Sequence, residues 1–241
     1  MDYADYVSNI SFRFAGPHSR LGGVVYPTLS KSARLGRWFE LLNTVLPEGQ
    51  ERSKTALGPL LDIPRMSTFA IAAVINRGVA ELSEEHAFVN VGVWNGFTLL
   101  AGMTSNREKL CIGVDNFTEF GGPREEFLER FNARRSAKHS FYDMDYRKYF
   151  STLHKDPIGY YVYDASHDYE SQLTGLRLAE PFFADGCTVL VDDTNLSAPR
   201  EAAMDFVARS KSRYDVILDR TTCRNGHPTF WNGIMMLRRI G

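Results

Sequence analysis

The chain has 241 residues, 44% hydrophobic and 24% charged, which suits one α/β domain of the larger kind or such a domain with a helical extension. Its 28 basic side chains are matched by 29 acidic ones, so the cationic excess that neutralises phosphates is missing and nucleic acid is not an expected partner. No apolar run approaches the roughly 18 residues of a membrane helix, and MDYADYVSNISFRF lacks the basic-then-apolar order of a signal peptide. Cys111, Cys187 and Cys223 are odd in number and not spaced for a metal, so a reducing, cytoplasmic setting is expected.

Residues 1–65 are the least regular. AGPHSRLGGVVYPTLS is rich in Gly, Pro and Ser and predicts a loop, whereas KSARLGRWFELLNTVL (31–46) has apolar residues at helical spacing. A Ser67 or Thr68 cap then predicts a helix to about Glu81. After residue 86 short apolar runs alternate with helical stretches. Strands are predicted at 87–93, 109–115, 140–145, 158–164 and 187–193, and helices after Gly96, over 124–137, from Tyr146, after His167 and over 198–210 with Ser197 as cap. The last two runs, 214–223 and 230–240, are too close in the chain for a helical crossover and should form an antiparallel hairpin. The expected fold is therefore α/β and Rossmann-like. It has a seven-stranded, mostly parallel sheet with an antiparallel last strand, helices on both faces, an N-terminal helical extension (1–82) and a core (83–241).

In such a sheet ligands bind beyond the carboxyl ends of the strands. Those ends carry NVGVWNG (90–96), Asp115, Asp143 and Asp145, Asp164 with His167 close behind, and Asp192 with Asp193. Gly92 and Gly96 allow backbone to approach a ligand, or else simply serve a tight turn. A Gly-x-Gly-x-x-Gly fingerprint is absent, and a carboxylate at Asp115 suits the two hydroxyls of a ribose, so an adenosine-type ligand is expected.

On these motifs residues 87–240 resemble the class I S-adenosylmethionine-dependent methyltransferases. NVGVWNG matches their first motif, with Asn90 where an acid is usual; GVDNF resembles the ribose-binding strand end and YDMDYRKYF the third motif. The resemblance implies a cofactor site of Asn90, Gly92, Trp94, Gly96, Asp115, Asn116, Met144, Asp145 and Asp164. Asp145 would face the adenine amino group, with Asp143 as its rival. DASH and VLVDD are further similar to metal-dependent, macrolide-type sugar O-methyltransferases. That likeness implies Asp164, Asp192 and Asp193 as ligands of Mg²⁺ and His167 as general base. Asp168 matches no such role, and Glu170 reads as a first-turn helix acid.

The reading that follows is a Mg²⁺-assisted O-methyltransferase acting on a hydroxyl of a small molecule or sugar. A metal-free enzyme using His167 alone, and a silent S-adenosylmethionine-binding module, are the alternatives. Any single one of the acids is more often a helix cap than a ligand; their convergence with a histidine favours the metal. Trp38, Phe39, Tyr26 and Phe14 offer a lid over a sugar or a packed core, and 117–127 offers a second wall. His86, His139 and His154 read as structural or solvated, with His227 open. An N-terminal helical pair permits a homo-oligomer.

Overall fold

The computed structural model describes residues 1–241, the Leu21 side chain aside. The extension contains α1 (Tyr3–Ser8), β1 (Ser11–Phe12), α2 (Arg20–Leu29), α3 (Ala33–Asn43), β2 (Thr44–Val45), α4 (Glu51–Leu57), a 3₁₀ turn over Gly58–Asp62 and α5 (Phe69–Ala80). The core continues with β3 (Ala87–Val91), α6 (Phe97–Met103), β4 (Leu110–Asp115), α7 (Arg124–Asn132), β5 (His139–Asp143), α8 (Tyr146–Thr152) and β6 (Ile158–Tyr163). It closes with α9 (Tyr169–Ala179), β7 (Phe183–Asp192), α10 (Ser197–Arg209), β8 (Tyr214–Arg220) and β9 (Ile234–Arg239). The main sheet has seven strands in the order β5-β4-β3-β6-β7-β9-β8, and β9 alone runs opposite to the other six. This is the expected Rossmann-like sheet, and the chain reverses direction across it between β3 and β6, where a crevice opens.

Every residue of β3 (AFVNV) and β6 (IGYYVY) is buried, as strands covered on both faces must be. The three tyrosines of β6 fit because helices leave room for their rings. A Cβ on Gly78 would lie 2.2 Å from the Tyr160 ring, and one on Gly175 2.1 Å from the Tyr163 ring. Buried hydroxyls need partners. Tyr160 meets the Tyr3 hydroxyl at 2.9 Å, and Tyr161 donates to the Gly175 carbonyl at 2.9 Å. Tyr3, Tyr6, Leu57 and Leu61 of the extension join Phe88, Leu190 and Met236 in one apolar cluster, so the extension and the sheet share a core. The other face packs against α8, α9 and α10 through residues such as Tyr149, Leu176 and Phe206.

Three local expectations change. The stretch read as loop contains α2, which keeps Gly22, Gly23 and Pro27 inside a helix because tertiary contacts override propensity. Ser19 caps it, and the segment between β8 and β9 grips its start: Cys223 donates its N–H to the Pro17 carbonyl and the His227 ring meets the Ser19 carbonyl. The helix expected over 31–46 is shorter, because Thr44 and Val45 pair with β1 instead. Ser197 is the first residue of α10 rather than its cap, and Leu196 at the cap position offers no side-chain bond. Among the described residues no helix is long and apolar enough to cross a membrane.

Three histidines are structural. His139, His154 and His227 are buried, and burial depresses the pKa of each. His154 is held between the Tyr149 hydroxyl and the Asp156 carbonyl, both at 2.8 Å. A depressed histidine pKa means that the unfolded chain binds the proton first. The stabilisation by neutral His154 is therefore complete above its ordinary pKa and is lost as pH falls below it. Thermal melts should show wild type more stable than His154→Gln at pH 8, with the gap narrowing steadily towards pH 5. A gap independent of pH would contradict this assignment.

Candidate active site

A cavity of ≈ 340 Å³ opens at the carboxyl ends of β3, β4, β5 and β6. Gly92 and Trp94 line it from the turn after β3, Asp115 and Asn116 from the end of β4, Met144 and Asp145 from beyond β5, and Asp164 and His167 from beyond β6. Eight of the sequence-predicted site residues thus share one cavity.

Asn90, Gly96, Asp192 and Asp193 stand behind its wall. Asn90 is fully buried, and its amide donates to the Gly92 carbonyl at 3.0 Å, so it braces the turn rather than facing the cavity. Gly96 has φ +95°, and a Cβ there would meet the Phe127 ring at 2.8 Å. Gly92 has φ +80°, and a Cβ there would fall 2.0 Å from the Asp164 carbonyl oxygen. The glycine is demanded by the backbone just beyond β6 before any ligand is considered.

Asp115 is committed to the same turn. Its Oδ2 accepts the N–H groups of Val93 (2.7 Å) and Trp94 (2.9 Å), and its Oδ1 that of Phe117 (2.7 Å). A carboxylate oxygen has more than one acceptor position, so room remains on Oδ1 for a ligand hydroxyl. Trp94 is held at φ +44°, and its indole donates to the Phe120 carbonyl at 3.0 Å. The 117–120 loop is thereby fastened as the outer wall, with the Phe120 ring 61% exposed at the rim.

Beyond β5 the two candidate acids separate. Asp145 lines the cavity while capping α8 through the Arg147 N–H at 2.7 Å; Asp143 turns away to pair with Arg124 at 2.6 Å. The four aromatics of the extension, offered as lid or core, divide between buried and exposed positions. Tyr26 is buried against Phe39, Trp38 and Phe14 are exposed, and none of the four lines the cavity. The extension contributes Arg65, Met66 and Ser67 instead; none was read as a site residue, and Ser67 leaves the capping of α5 to Thr68.

The acids after β6 and β7 form a tight group. Asp192 is buried, and Asp193 is held at φ +56°, a strained conformation for a side-chain-bearing residue. His167 Nε2 lies 3.5 Å from Asp193 and 3.8 Å from Asp164. Asp164 is pushed well above the usual carboxylate range by burial and then by the charges of Asp192 and Asp193. Asp192 rises through burial and its neighbour Asp193; Asp193 rises through burial, with His167 opposing. Among the described residues no Lys or Arg pairs with these acids, and Asp192 Oδ1 and His167 Nδ1 are buried without a partner.

Three hard oxygen donors lacking a compensating cation suit Mg²⁺ in kind. The expected ligand geometry is not formed, however. Among the described residues no group of three or more such side chains is arranged to hold a metal ion. Asp168, just outside, caps α9 through the Ser171 N–H at 2.9 Å, and bonds from Ser171 hold its carboxyl down to about 2. Glu170 is the first-turn acid it was read to be.

Residues 89–194 match the family described as a methyltransferase domain. No curated protein matches the sequence. Among solved structures, cofactor-bound Rv0187 from MTB superposes with a TM-score of 0.55 at 13% identity, over 78% of this chain and 87% of that one. An O-methyltransferase from Bacillus cereus in complex with SAH gives 0.52 at 12% identity, over 77% and 90%. An rRNA methylase from Streptococcus thermophilus gives 0.51 at 9%, over 69% and 94%. At such identities these likenesses speak for the fold, and the domain match carries the chemistry.

Proposed function

We propose that this chain, a class I S-adenosylmethionine-dependent methyltransferase, transfers the methyl group to a hydroxyl of a small molecule, with His167 as the base. The observation that carries this reading is the position of His167, in the cavity wall with Asp164 and flanked by Asp193, across from the turn that Asp115 fastens. An acceptor hydroxyl at His167 gives up its proton to the imidazole as its oxygen attacks the methyl carbon in line. The carbon–sulfur bond breaks, and the products are the methyl ether, S-adenosylhomocysteine and a protonated His167. The acids oppose the accumulating positive charge, and alignment of the two reactants supplies much of the acceleration.

In this reading Asp164, Asp192 and Asp193 would hold Mg²⁺, which when bound would make the acceptor hydroxyl more acidic. The contacts of His167 Nε2 with Asp193 at 3.5 Å and Asp164 at 3.8 Å, which hold the imidazole at the cavity through protein groups alone, favour a second reading, in which the enzyme works without metal and His167 acts alone. The cavity is modest in volume, and the chain carries no cationic excess, both of which favour a small acceptor over RNA.

Calorimetry with S-adenosylhomocysteine, once with Mg²⁺ and once with EDTA, tests the cofactor and the metal together. Binding in both buffers, with a separate Mg²⁺ isotherm that is abolished in Asp192→Asn, is the expected result. Cofactor binding without any Mg²⁺ isotherm would leave the metal-free reading, and no cofactor binding in either buffer would reduce the chain to a silent member of its fold.

A further inference from the structure

The cavity wall supplied by the extension lies outside residues 89–194, and it is built with more care than a lid requires. Arg65 is not a surface arginine. Its side chain is 11% exposed, and Nη2 lies 2.5 Å from Oε1 of Glu40, which is fully buried. Glu40 also accepts the Tyr26 hydroxyl and, at 2.6 Å, the N–H of Phe69. Arg65 Nη1 donates to the Leu61 carbonyl, and the guanidinium stands 5.5 Å from the centre of the Phe97 ring. The guanidinium is thus fixed from three sides at the end of the Gly92–Gly96 turn.

Holding two charges out of water is costly, and an apolar pair would join α3 to the segment before α5 at least as well. Two polar groups are also left over. Arg65 Nε and the Ser67 hydroxyl are buried without a partner, and Ser67, 4% exposed, lines the cavity. An unmet buried donor is costly, and a ligand accepting from it would remove that cost.

Sheet order says which end of the cofactor these groups meet. With adenine beyond β5 and ribose at Asp115 on β4, the amino-acid end falls over β3 and β6. The cavity wall holds three cationic or cation-forming side chains. Arg147 is paired with Asp145 on the β5 side, and His167 sits among acids. Arg65 alone stands beside the β3 turn with donors to spare.

We propose that Arg65 and Ser67 bind the α-carboxylate of S-adenosylmethionine, and that Glu40 and Tyr26 are positioning residues that hold the guanidinium for it. The extension then completes the cofactor site. The proposal rests on the methyltransferase reading, and the test separates the two.

The measurement compares S-adenosylhomocysteine with its decarboxylated analogue by calorimetry. Wild type should bind the carboxylate-bearing ligand at least tenfold more tightly. Arg65→Ala should remove that preference while binding the analogue within about twofold of wild type; Ser67→Ala should reduce it, and Glu40→Gln should reduce it through misplacement of Arg65. Equal weakening of both ligands in Arg65→Ala, or an unchanged preference, would overturn the assignment. Arg65→Lys keeps the charge without the planar fork, and its loss of preference with an unchanged melting temperature would support recognition even if the alanine variant folds poorly. If wild type binds neither ligand, the cofactor reading itself has failed.

Discussion

Replacing Asp115 with alanine should weaken S-adenosylhomocysteine binding by roughly 100-fold, about 2.7 kcal/mol, and should lower the melting temperature as well. Both effects follow from its double use. The carboxylate accepts N–H groups from Val93, Trp94 and Phe117, and removing it leaves all three without their acceptor, at about 1 kcal/mol or more for each that stays dry. The same carboxylate is the ribose acceptor at the end of β4. Without it the turn that shapes the cavity loses its tie, and the Trp94 ring loses its fixed seat against Phe120. Asp115→Asn keeps one acceptor oxygen and should fall between the two. Calorimetry and thermal melting on the three proteins decide the matter. An alanine variant that melts early yet binds the cofactor normally would make Asp115 a turn residue only.

The core was readable because buried parallel strands are nearly unmixed apolar runs, and each one here is punctuated where the cavity begins. Asp115, Asp145, Asp164 and His167 could be located by that punctuation alone. The reason for a residue was harder to read than its place. Gly92 looks like a ligand-facing glycine, yet the Asp164 carbonyl excludes a side chain there first. Asn90 occupies the place of a ligand-facing acid but bonds within its own turn. The extension was read least well, since Gly22, Gly23 and Pro27 all argue against α2, and the Ser19 cap and the grip on its start override them. Arg65 had no periodicity or motif to mark it. Its place at the cavity comes from α5 packing beside α6 and from a carboxylate twenty-five positions earlier in the chain.

His167→Ala should lower turnover by about 10²- to 10⁴-fold and leave S-adenosylhomocysteine affinity within about threefold of wild type. The asymmetry is the point of the prediction. His167 reaches Asp164 and Asp193 and lines the cavity, but the turn, Asp115 and the β5 wall stand without it. Its loss therefore removes the proton acceptor while sparing the cofactor seat. It also removes the imidazole that Asp164 and Asp193 contact, so the variant should melt slightly earlier. The assay is S-adenosylhomocysteine release with an acceptor that wild type turns over, drawn from phenols, catechols and sugars, in Mg²⁺ and in EDTA. If His167→Ala retains turnover in Mg²⁺ but not in EDTA, the metal carries the deprotonation and the base assignment is wrong. Loss in both buffers, with cofactor affinity intact, places the proton on His167.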